Sequence, residues 1–485
     1  MKQRIARVPD AAWLIGILWI GLAVRLPLLG EQSLWFDEAY SWLFMAATDL
    51  RTGLEMSLAN FVHPPLYYLL GRPFTLLGDS EWWLRFPSVL SGVLAISAIY
   101  LVGREIGGRR SGLLAATLLA VNPFHVWFAR EVRNYSLAAL LTLFVAYFWI
   151  RILRGKRQWF GLTVSSGLSF FTHYFCLLLP MAQFLYFLLN FRRRYRLFRK
   201  WVWSMAIAFV PTFLWMVALF TQEEKMLGIG WIPTPRPWTP LLTVWNWSML
   251  TRIGWTLLDT ISLPFFAAAL FLGFRRSKHR QWLLLWLSVP ILFVMLVSWL
   301  LGRNFYVDRY FIVSLPAYLL LLTVGVHHVR PAWLQTGLVA ALLFASTLST
   351  TRIWSDPELN KEDWRSAMAV VSEGRQAGDL LVVHQAEDVV PVRYYYPQSL
   401  EPWAYADSAR GTGLWNAIME EYEPSRLWLV YRNANRSAHL VTKALPFDIY
   451  KEADPNTSIW LAAHRNQVVA EHVLAGITVL VMEFQ

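Results

Sequence analysis

Long apolar runs separated by short polar segments dominate the first 350 positions of the chain. A helix needs roughly 20 mostly apolar residues to cross a bilayer, and most runs approach that length. The pattern predicts a polytopic α-helical membrane protein with about eleven spans. The run from 159 to 191 is nearly unbroken, so two short spans and one long helix with a re-entrant piece both fit it. The predicted spans lie near 11–29, 84–103, 112–128, 135–152, 159–175, 176–191, 201–220, 252–273, 282–301, 311–326 and 333–350.

The pattern changes after residue 350, where polar residues break the apolar runs into short pieces. KEDWRSAMAVVSEG predicts a surface helix that ends at Gly374. Four β-rich segments bounded by turn residues predict strands: DLLVVHQ, RLWLVYR, SIWLAAHR and ITVLVMEF. We therefore expect a membrane domain over residues 1–350 and a soluble α/β domain over 351–485.

Two polar or aromatic segments interrupt the predicted membrane domain on its outer side. The first, at about 30–83, contains SLWFDEAYSWLFMAATDL, which predicts an amphipathic helix lying along the membrane interface. The second, at 221–251, contains four closely spaced prolines and predicts a loop.

Composition agrees with a membrane protein. The chain of 485 residues is 56% hydrophobic and 16% charged, whereas about a quarter of the residues in soluble proteins are charged. Its 27 Trp residues suit the bilayer interfaces. The single cysteine, Cys176, excludes an intramolecular disulfide and a cysteine-based metal cluster. The net charge of +12 arises from clusters between apolar runs, which argues against nucleic acid as a partner.

The basic clusters also predict the orientation of the chain. With eleven spans all of them fall on one side, which the positive-inside rule assigns to the cytoplasm. The N-terminus is then cytoplasmic, and the carboxyl-terminal domain is periplasmic or extracellular. Because the first span is long and lacks a small-residue cleavage site, we expect an uncleaved helix. The clusters are Lys2, Arg4 and Arg7; Arg104, Arg109 and Arg110; Arg151, Arg154, Lys156 and Arg157; 192–200; and 275–280.

Ionisable residues on the predicted outer side are candidates for chemistry, because such residues next to hydrocarbon are costly unless paired or functional. Asp37 and Glu38 follow the first span, and His63 precedes two prolines that fix a turn. Asp37 fits a general base or a ligand for a phosphate-bound cation. The pair equally fits an acidic helix start, and a lone histidine is more often structural.

Arginines on the predicted outer side depart from the topological bias and therefore suggest an anionic ligand. Guanidinium groups and tyrosine hydroxyls suit phosphate oxygens. An ion pair with Glu131 or Asp37 is the structural alternative for the first set. The candidates are Arg130, Arg133 and Tyr135 in one turn and Arg303, Arg309 and Tyr310 in another.

Taken together, these motifs resemble the GT-C superfamily of polytopic glycosyltransferases, and in particular the protein O-mannosyltransferases and the bacterial lipid A aminoarabinose transferases (glycosyltransferase family 39-like). The resemblance extends over the whole chain in architecture. FDE followed by HPP at this spacing is its most specific part, and the later motifs are looser. The motifs are FDEAYSW, HPPLYYLL, NPFHVWFAR and RYFIVSLPAYLLL.

The resemblance implies a catalytic carboxylate at Asp37 with Glu38 beside it, and a place for His63 near the lipid phosphate. It also implies that Arg130, Arg133 and Tyr135 line the cavity, and that Arg309, before Tyr310, binds phosphate. The aminoarabinose transferases have a lysine at the position of His63 and an acidic residue near Arg133, so their substrate does not carry over.

The expected activity is inverting transfer of a sugar from a polyprenyl-phosphate donor to a hydroxyl of a lipid, glycan or protein. The expected location is the outer leaflet of a bacterial inner membrane. No cofactor is certain, although Asp37 or Glu38 could hold a divalent cation. A transporter or flippase for a lipid-linked saccharide is the alternative, but it predicts broken helices in matching repeats, which are not seen. A receptor leaves Asp37, His63 and Arg309 unexplained.

Overall fold

The computed structural model describes residues 10–60, 63–221, 232, 234–250, 257–356, 359–396, 398–406, 413–432 and 454–484. The chain forms two compact units. The first comprises Met1–Leu29 and Phe44–Ser355, and the second comprises Gly30–Leu43 and Asp356–Gln485. The segment that carries Asp37 and Glu38 therefore belongs to the same unit as the carboxyl-terminal strands.

The first 355 residues are helical wherever they form regular structure in the described part. Two short 3-10 helices, Tyr174–Leu177 and Asp308–Val313, interrupt the series. The α-helices are α1 (Asp10–Ala23), α2 (Phe36–Met45), α3 (Leu50–Asn60), α4 (Leu66–Thr75), α5 (Glu81–Gly107), α6 (Arg109–Ala120), α7 (Pro123–Phe128), α8 (Tyr135–Leu153), α9 (Trp159–Phe170), α10 (Leu178–Leu189), α11 (Phe191–Phe220), α12 (Thr239–Met249), α13 (Leu257–Arg276), α14 (Arg280–Leu301), α15 (Leu315–His327) and α16 (Ala332–Ser355).

Five of the described helices are long and apolar enough to cross a membrane. Three further apolar helices are shorter, at Asp10–Ala23, Tyr174–Leu189 and Leu315–His327. The membrane character predicted from the sequence is thus confirmed, whereas the count of eleven spans stays a prediction. The five long helices are Glu81–Gly107, Tyr135–Leu153, Arg194–Phe220, Arg280–Leu301 and Ala332–Ser355.

Two of the predicted spans are broken by local sequence signals. In the span at 112–128, α6 ends at Ala120 and α7 begins at Pro123, because the Asn122 side chain accepts a hydrogen bond from the backbone of His125 at 2.9 Å and caps a new helix. The run at 159–191 divides into α9, a turn, a 3-10 helix and α10, so it is not one continuous helix. The number of spans in this run stays a prediction.

The proline-rich segment at 221–251 was predicted as a loop, and this is wrong for its second half. Residues Thr239–Met249 form α12, which has Pro240 in its first turn, where a missing N–H costs nothing. Residues 222–231 and 233 of this segment lie outside the described residues. The same holds for residues 252–256, at the start of the next predicted span.

Helices α13 and α15 approach each other closely at two glycines. A Cβ on Gly273 would collide with the backbone of Leu321, and a Cβ on Gly325 would collide with the backbone of Ala269. Small residues permit such contact between membrane helices, where van der Waals packing replaces the hydrophobic effect. The contact fixes α15, which directly follows the 3-10 helix that carries Arg309.

The second unit is built on a mixed five-stranded sheet of order β2-β1-β3-β5-β4. Strand β1 pairs in parallel with β2 and β3, and β5 pairs antiparallel with β3 and β4. The strands are β1 (Leu380–Val383), β2 (Trp403–Tyr405), β3 (Arg426–Arg432), β4 (Val468–Leu474) and β5 (Ile477–Glu483). The helices are α17 (Trp364–Gly374), α18 (Val389–Tyr395), α19 (Gly413–Tyr422) and α20 (Pro455–Ala463), with 3-10 helices at Ala386–Asp388 and Arg465–Gln467.

Helices cover both faces of this sheet. Alternate residues of β3 point to opposite faces, and both sets are buried. Leu427 and Leu429 pack with Trp415 of α19 and Trp460 of α20, whereas Trp428 and Val430 pack with residues of α17 and α18. The predicted α/β character of this region is confirmed.

Three of the four predicted strands are present, and the surface helix ends at Gly374 as predicted. The strand predicted at SIWLAAHR is wrong, because this segment lies in α20. Asp454 caps that helix, since its Oδ1 accepts hydrogen bonds of 3.1 Å from the backbone N–H groups of Asn456 and Thr457, and Pro455 occupies the first helical position. The two edge strands, β2 and β4, were not predicted.

Candidate active site

Six polar or aromatic side chains from four separate segments of the first unit form one group, which we call the Arg–His cluster. It consists of His63, Arg133, Tyr135, His173, Arg309 and Tyr310. Five of these residues are candidates from the sequence analysis. His173 was not a candidate.

Backbone hydrogen bonds between turns bring the segments of the cluster together. The N–H of Leu66, just after His63-Pro64-Pro65, donates to the carbonyl of Phe171 at 3.1 Å. The side chain of Asn134 donates to the carbonyl of Thr172 at 2.8 Å. The turns at 63–66 and 133–135 are thus both fastened to the segment that ends in His173.

The aromatic rings of the cluster lie in contact around His173. Its ring centroid is 4.9 Å from that of His63, 5.2 Å from that of Tyr310 and 6.0 Å from that of Tyr135. The rings of Tyr135 and Tyr310 are 6.4 Å apart. These distances are typical of packed aromatic pairs, so the cluster is a defined arrangement of side chains.

Two buried guanidinium groups give the cluster its charge. Arg133 is 2% exposed and lies 5.8 Å from the Tyr135 ring, and Arg309 is 8% exposed and lies 5.7 Å from the Tyr310 ring. Cation–π contacts of this length stabilise each cation by about 0.5–2 kcal/mol.

The same positive field acts on His63, which lies in a turn outside the predicted spans. Desolvation, followed by the effects of His173, Arg133 and Arg309, lowers the pKa of His63 well below its usual value. At neutral pH this ring is therefore uncharged, and it can serve the cluster as a hydrogen-bonding group.

The 3-10 helix that carries Arg309 is anchored at both ends. At its start, Asp308 accepts hydrogen bonds from Thr243 at 2.6 Å and from Asn246 at 3.2 Å, both on α12. At its end, the indole N–H of Trp286 donates to the carbonyl of Val313 at 2.8 Å. These bonds hold Arg309 and Tyr310 in place before any ligand binds.

Two of the candidate arginines lie apart from the cluster contacts. Arg130 donates to the carbonyls of Arg25 at 2.8 Å, Pro27 at 2.6 Å and Leu28 at 3.2 Å, so its guanidinium stabilises the turn after α1. Arg303 is exposed, and no contact reported between described residues joins it to the cluster.

The acidic pair lies in the second unit, in the first turn of α2. Glu38 is fully buried, and its carboxylate lies 3.4 Å from Lys361 Nζ and 3.4 Å from the backbone nitrogen of Trp35. Asp37 stays partly exposed. Neighbouring helical residues point about 100° apart, so the two carboxylates face different surroundings.

A buried ionic network around Arg432 fixes the start of α2 within the second unit. Arg432 donates to Asp388 at 2.5 Å, lies 3.7 Å from a carboxylate oxygen of Glu362 and lies 4.1 Å from the Phe36 ring. Glu362 also accepts the backbone N–H of Phe36 at 2.9 Å. Burial raises the pKa of both carboxyl groups, and the charge of Arg432 opposes that rise.

Replacing Arg432 with alanine is expected to destabilise the protein by about 3–5 kcal/mol, because two buried carboxylates lose their compensating charge. Arg426, at the other end of β3, is the matched control, since its pair with Glu483 spans 3.7 Å and is 30% and 56% exposed. Arg426→Ala should cost under about 1 kcal/mol. The measurement is denaturant unfolding of the full-length protein in detergent.

Adding Asp388→Asn to Arg432→Ala should recover part of the loss, because it removes one uncompensated buried carboxylate. Equal losses in the Arg432 and Arg426 variants would show that the network contributes nothing beyond a surface pair.

The geometry offers no ready-made metal site in the described part of the chain, where no three His, Cys, Asp or Glu side chains come together. Of the two expected ligands, Glu38 is paired with Lys361. A cation at Asp37 would therefore take most of its ligands from water and from substrate phosphate, as Mg²⁺ commonly does.

Comparison with known proteins adds a family match and several shared folds. Residues 62–217 match the family described as dolichyl-phosphate-mannose-protein mannosyltransferase. The matched region includes His63, Arg133, Tyr135 and His173 but neither Asp37 nor Arg309. No curated protein sequence matches the chain.

Three solved structures share the fold at low sequence identity. ArnT from Cupriavidus metallidurans bound to undecaprenyl phosphate is 13% identical, with a TM-score of 0.62 and coverage of 97% of this chain and 98% of that one. Arabinofuranosyltransferase AftD from Mycobacteria is 16% identical, with a TM-score of 0.55 over 98% of this chain and 40% of that one. Oligosaccharyltransferase AglB from Archaeoglobus fulgidus is 10% identical, with a TM-score of 0.50 over 87% and 69%.

At these identities the structural matches establish a common fold, and the family match adds sequence similarity over the region that carries most of the cluster. The chain is thus similar to these proteins in fold, and to the dolichyl-phosphate-mannose-protein mannosyltransferase family in sequence over residues 62–217.

Proposed function

We propose that this enzyme transfers a sugar from a polyprenyl-phosphate donor to a hydroxyl group of a glycolipid, glycan or protein acceptor, with inversion at the anomeric carbon. The observation that carries the proposal is the Arg–His cluster, in which two buried guanidinium groups lie beside neutral hydrogen-bonding rings. Such a site favours an anion. A phosphate on a lipid tail is an anion that a bundle of apolar helices can admit. ArnT, which shares the fold, has been crystallised with undecaprenyl phosphate.

In the proposed reaction, Asp37 takes the proton of the acceptor hydroxyl as its oxygen attacks the anomeric carbon. The bond from that carbon to the phosphate oxygen breaks, and its electron pair stays on the departing polyprenyl phosphate. Arg309 and Arg133 stabilise the charge that develops there. Because attack and departure occur on opposite faces of one carbon, a single displacement inverts the configuration.

The proposed reaction needs no metal ion if Asp37 acts as the base. An alternative role for Asp37 is to bind a divalent cation on the donor phosphate. Activity that is abolished by EDTA and restored by Mg²⁺ or Mn²⁺ would assign Asp37 this second role.

We place the reaction at the outer leaflet of a bacterial inner membrane, with the N-terminus in the cytoplasm. The grouping of basic residues on one side of the predicted spans supports this orientation. Cysteines introduced at the exposed positions Glu420 and Lys156 test it, because the native Cys176 is buried and gives little background. A membrane-impermeant thiol reagent should label the first variant in intact spheroplasts and the second only after lysis.

The activity test uses the purified full-length protein with a panel of polyprenyl-phosphate hexoses, pentoses and aminopentoses and with envelope extracts as acceptors. One donor should be consumed in an acceptor-dependent manner, releasing polyprenyl phosphate. NMR of the product should show the anomeric configuration opposite to that of the donor. A retained configuration would contradict the single displacement, and no turnover across the panel would contradict the proposed donor class.

A further inference from the structure

His173 occupies the centre of the Arg–His cluster and has no role in the reaction described above. It is 2% exposed, and it precedes the 3-10 helix that follows the break in the apolar run. Its Nδ1 accepts a hydrogen bond of 3.1 Å from the backbone N–H of Phe175. This bond caps the short helix and fixes the orientation of the ring.

The same bond fixes the protonation of the ring. A nitrogen that accepts an N–H carries no proton of its own, so the imidazole is neutral and its single proton lies on Nε2. Nε2 is buried and has no hydrogen-bond partner among the residues that the structure describes. A buried donor without an acceptor is unfavourable, so an acceptor from a ligand would be favoured at this atom.

The neighbours of His173 favour an anionic acceptor. The charges of Arg133 and Arg309 both act on this ring, as they do on His63. Among the described residues, the side chains in ring contact with it are His63, Tyr135, Phe175 and Tyr310, and none of these is a carboxylate. A negatively charged oxygen that accepts from His173 Nε2 would also be attracted by both guanidinium groups.

We propose that His173 binds the lipid carrier by donating its Nε2–H to a phosphate oxygen of the polyprenyl phosphate. This inference rests on the proposed function for the identity of the ligand. In this arrangement His173 supplies a neutral hydrogen-bond donor in addition to the two arginines. The hydrogen bond from the Phe175 backbone fixes the direction in which His173 donates.

The test compares two substitutions, each of which keeps one of the two hydrogen-bonding functions of the imidazole. His173→Asn keeps an oxygen near the position of Nδ1, which can accept the Phe175 N–H, but it lacks the distal donor. His173→Gln carries an amide N–H near the position of Nε2. Binding of undecaprenyl phosphate, and of undecaprenol as the ligand without phosphate, is measured on the full-length protein in detergent. Thermal unfolding establishes that each variant is folded.

His173→Asn should bind undecaprenyl phosphate roughly 10-fold or more weakly than the wild type, as expected for a lost hydrogen bond to a charged group. His173→Gln should stay within about 3-fold, and neither variant should change its affinity for undecaprenol. If His173→Asn does not fold, His173→Leu takes its place beside His173→Gln.

The failure of this inference is distinguishable from the failure of the proposed function. A wild-type protein that binds undecaprenol as well as undecaprenyl phosphate would overturn both. A wild-type protein that prefers the phosphate, together with unchanged binding in the variant that lacks the distal donor, would overturn the role of His173 alone. Equal losses in the Asn and Gln variants, or equal losses for both ligands, would also overturn it.

Discussion

Asp37→Asn is expected to lower kcat by roughly 10²- to 10⁴-fold, the usual contribution of a positioned general base. Asparagine keeps the size and polarity of the side chain but cannot accept the proton of the acceptor hydroxyl. Asp37 lies in the first turn of α2 and is partly exposed. The KM for the donor should change little, because the proposed phosphate ligands are intact.

Two other carboxylates of the same segment serve as controls for this prediction. Glu31→Gln removes an exposed charge six positions earlier and should leave kcat within about 2-fold, as expected for a residue outside the reaction. Glu38→Gln disrupts the buried contact with Lys361 and should lower the unfolding temperature. Near-normal kcat in purified, folded Asp37→Asn protein would remove Asp37 from the mechanism.

The difference between Asp37 and Glu38 shows a limit of the sequence. Adjacent carboxylates in a helix must point in different directions, which the sequence alone predicts. Which of the two is buried depends on Lys361, more than 300 positions away. The ion pair forms only when segment 30–43 joins the carboxyl-terminal unit, and no local pattern indicates that association.

The helices and three of the five strands were predictable because buried segments are rich in apolar residues along the chain. RLWLVYR and ITVLVMEF are strands packed on both faces, and they appear in the sequence as nearly continuous apolar runs. SIWLAAHR has a similar apolar content, but the preceding Asp454-Pro455 starts a helix. The helix-start signal was stronger evidence than the apolar composition of the segment.

The candidate site shows the same contrast between local and distant information. Charged residues that interrupt apolar runs led to Arg133 and Arg309. His173 escaped notice because it lies within the longest apolar run, where the only sequence signal was the uncertain division of that run. The polar pair Thr172-His173 marks the point where the helix stops. The backbone carbonyls that accept hydrogen bonds from Arg130 could not be predicted, because such partners leave no trace in the sequence.

Arg309→Ala is expected to lower kcat by about 10²- to 10³-fold, comparable to the loss of one group that stabilises developing charge. Alanine removes the guanidinium from the 3-10 helix, while the anchors of that helix on Asp308 and Val313 remain. Arg303→Ala, six positions earlier and exposed, should retain activity within about 2-fold. Arg309→Lys should fall between them, because lysine keeps the charge but cannot donate from two sides of a planar group.

Combining Arg309→Ala with Arg133→Ala separates a shared phosphate site from two independent sites. If both arginines stabilise one leaving phosphate, the first substitution already leaves that phosphate poorly bound. The second substitution then has less stabilisation to remove. The double variant should then lose less activity than the product of the two single losses, as residues that act as a unit do. Strictly multiplicative losses in kcat would assign the two guanidinium groups to different parts of the substrate. Normal activity in Arg309→Ala would show that the leaving group departs elsewhere.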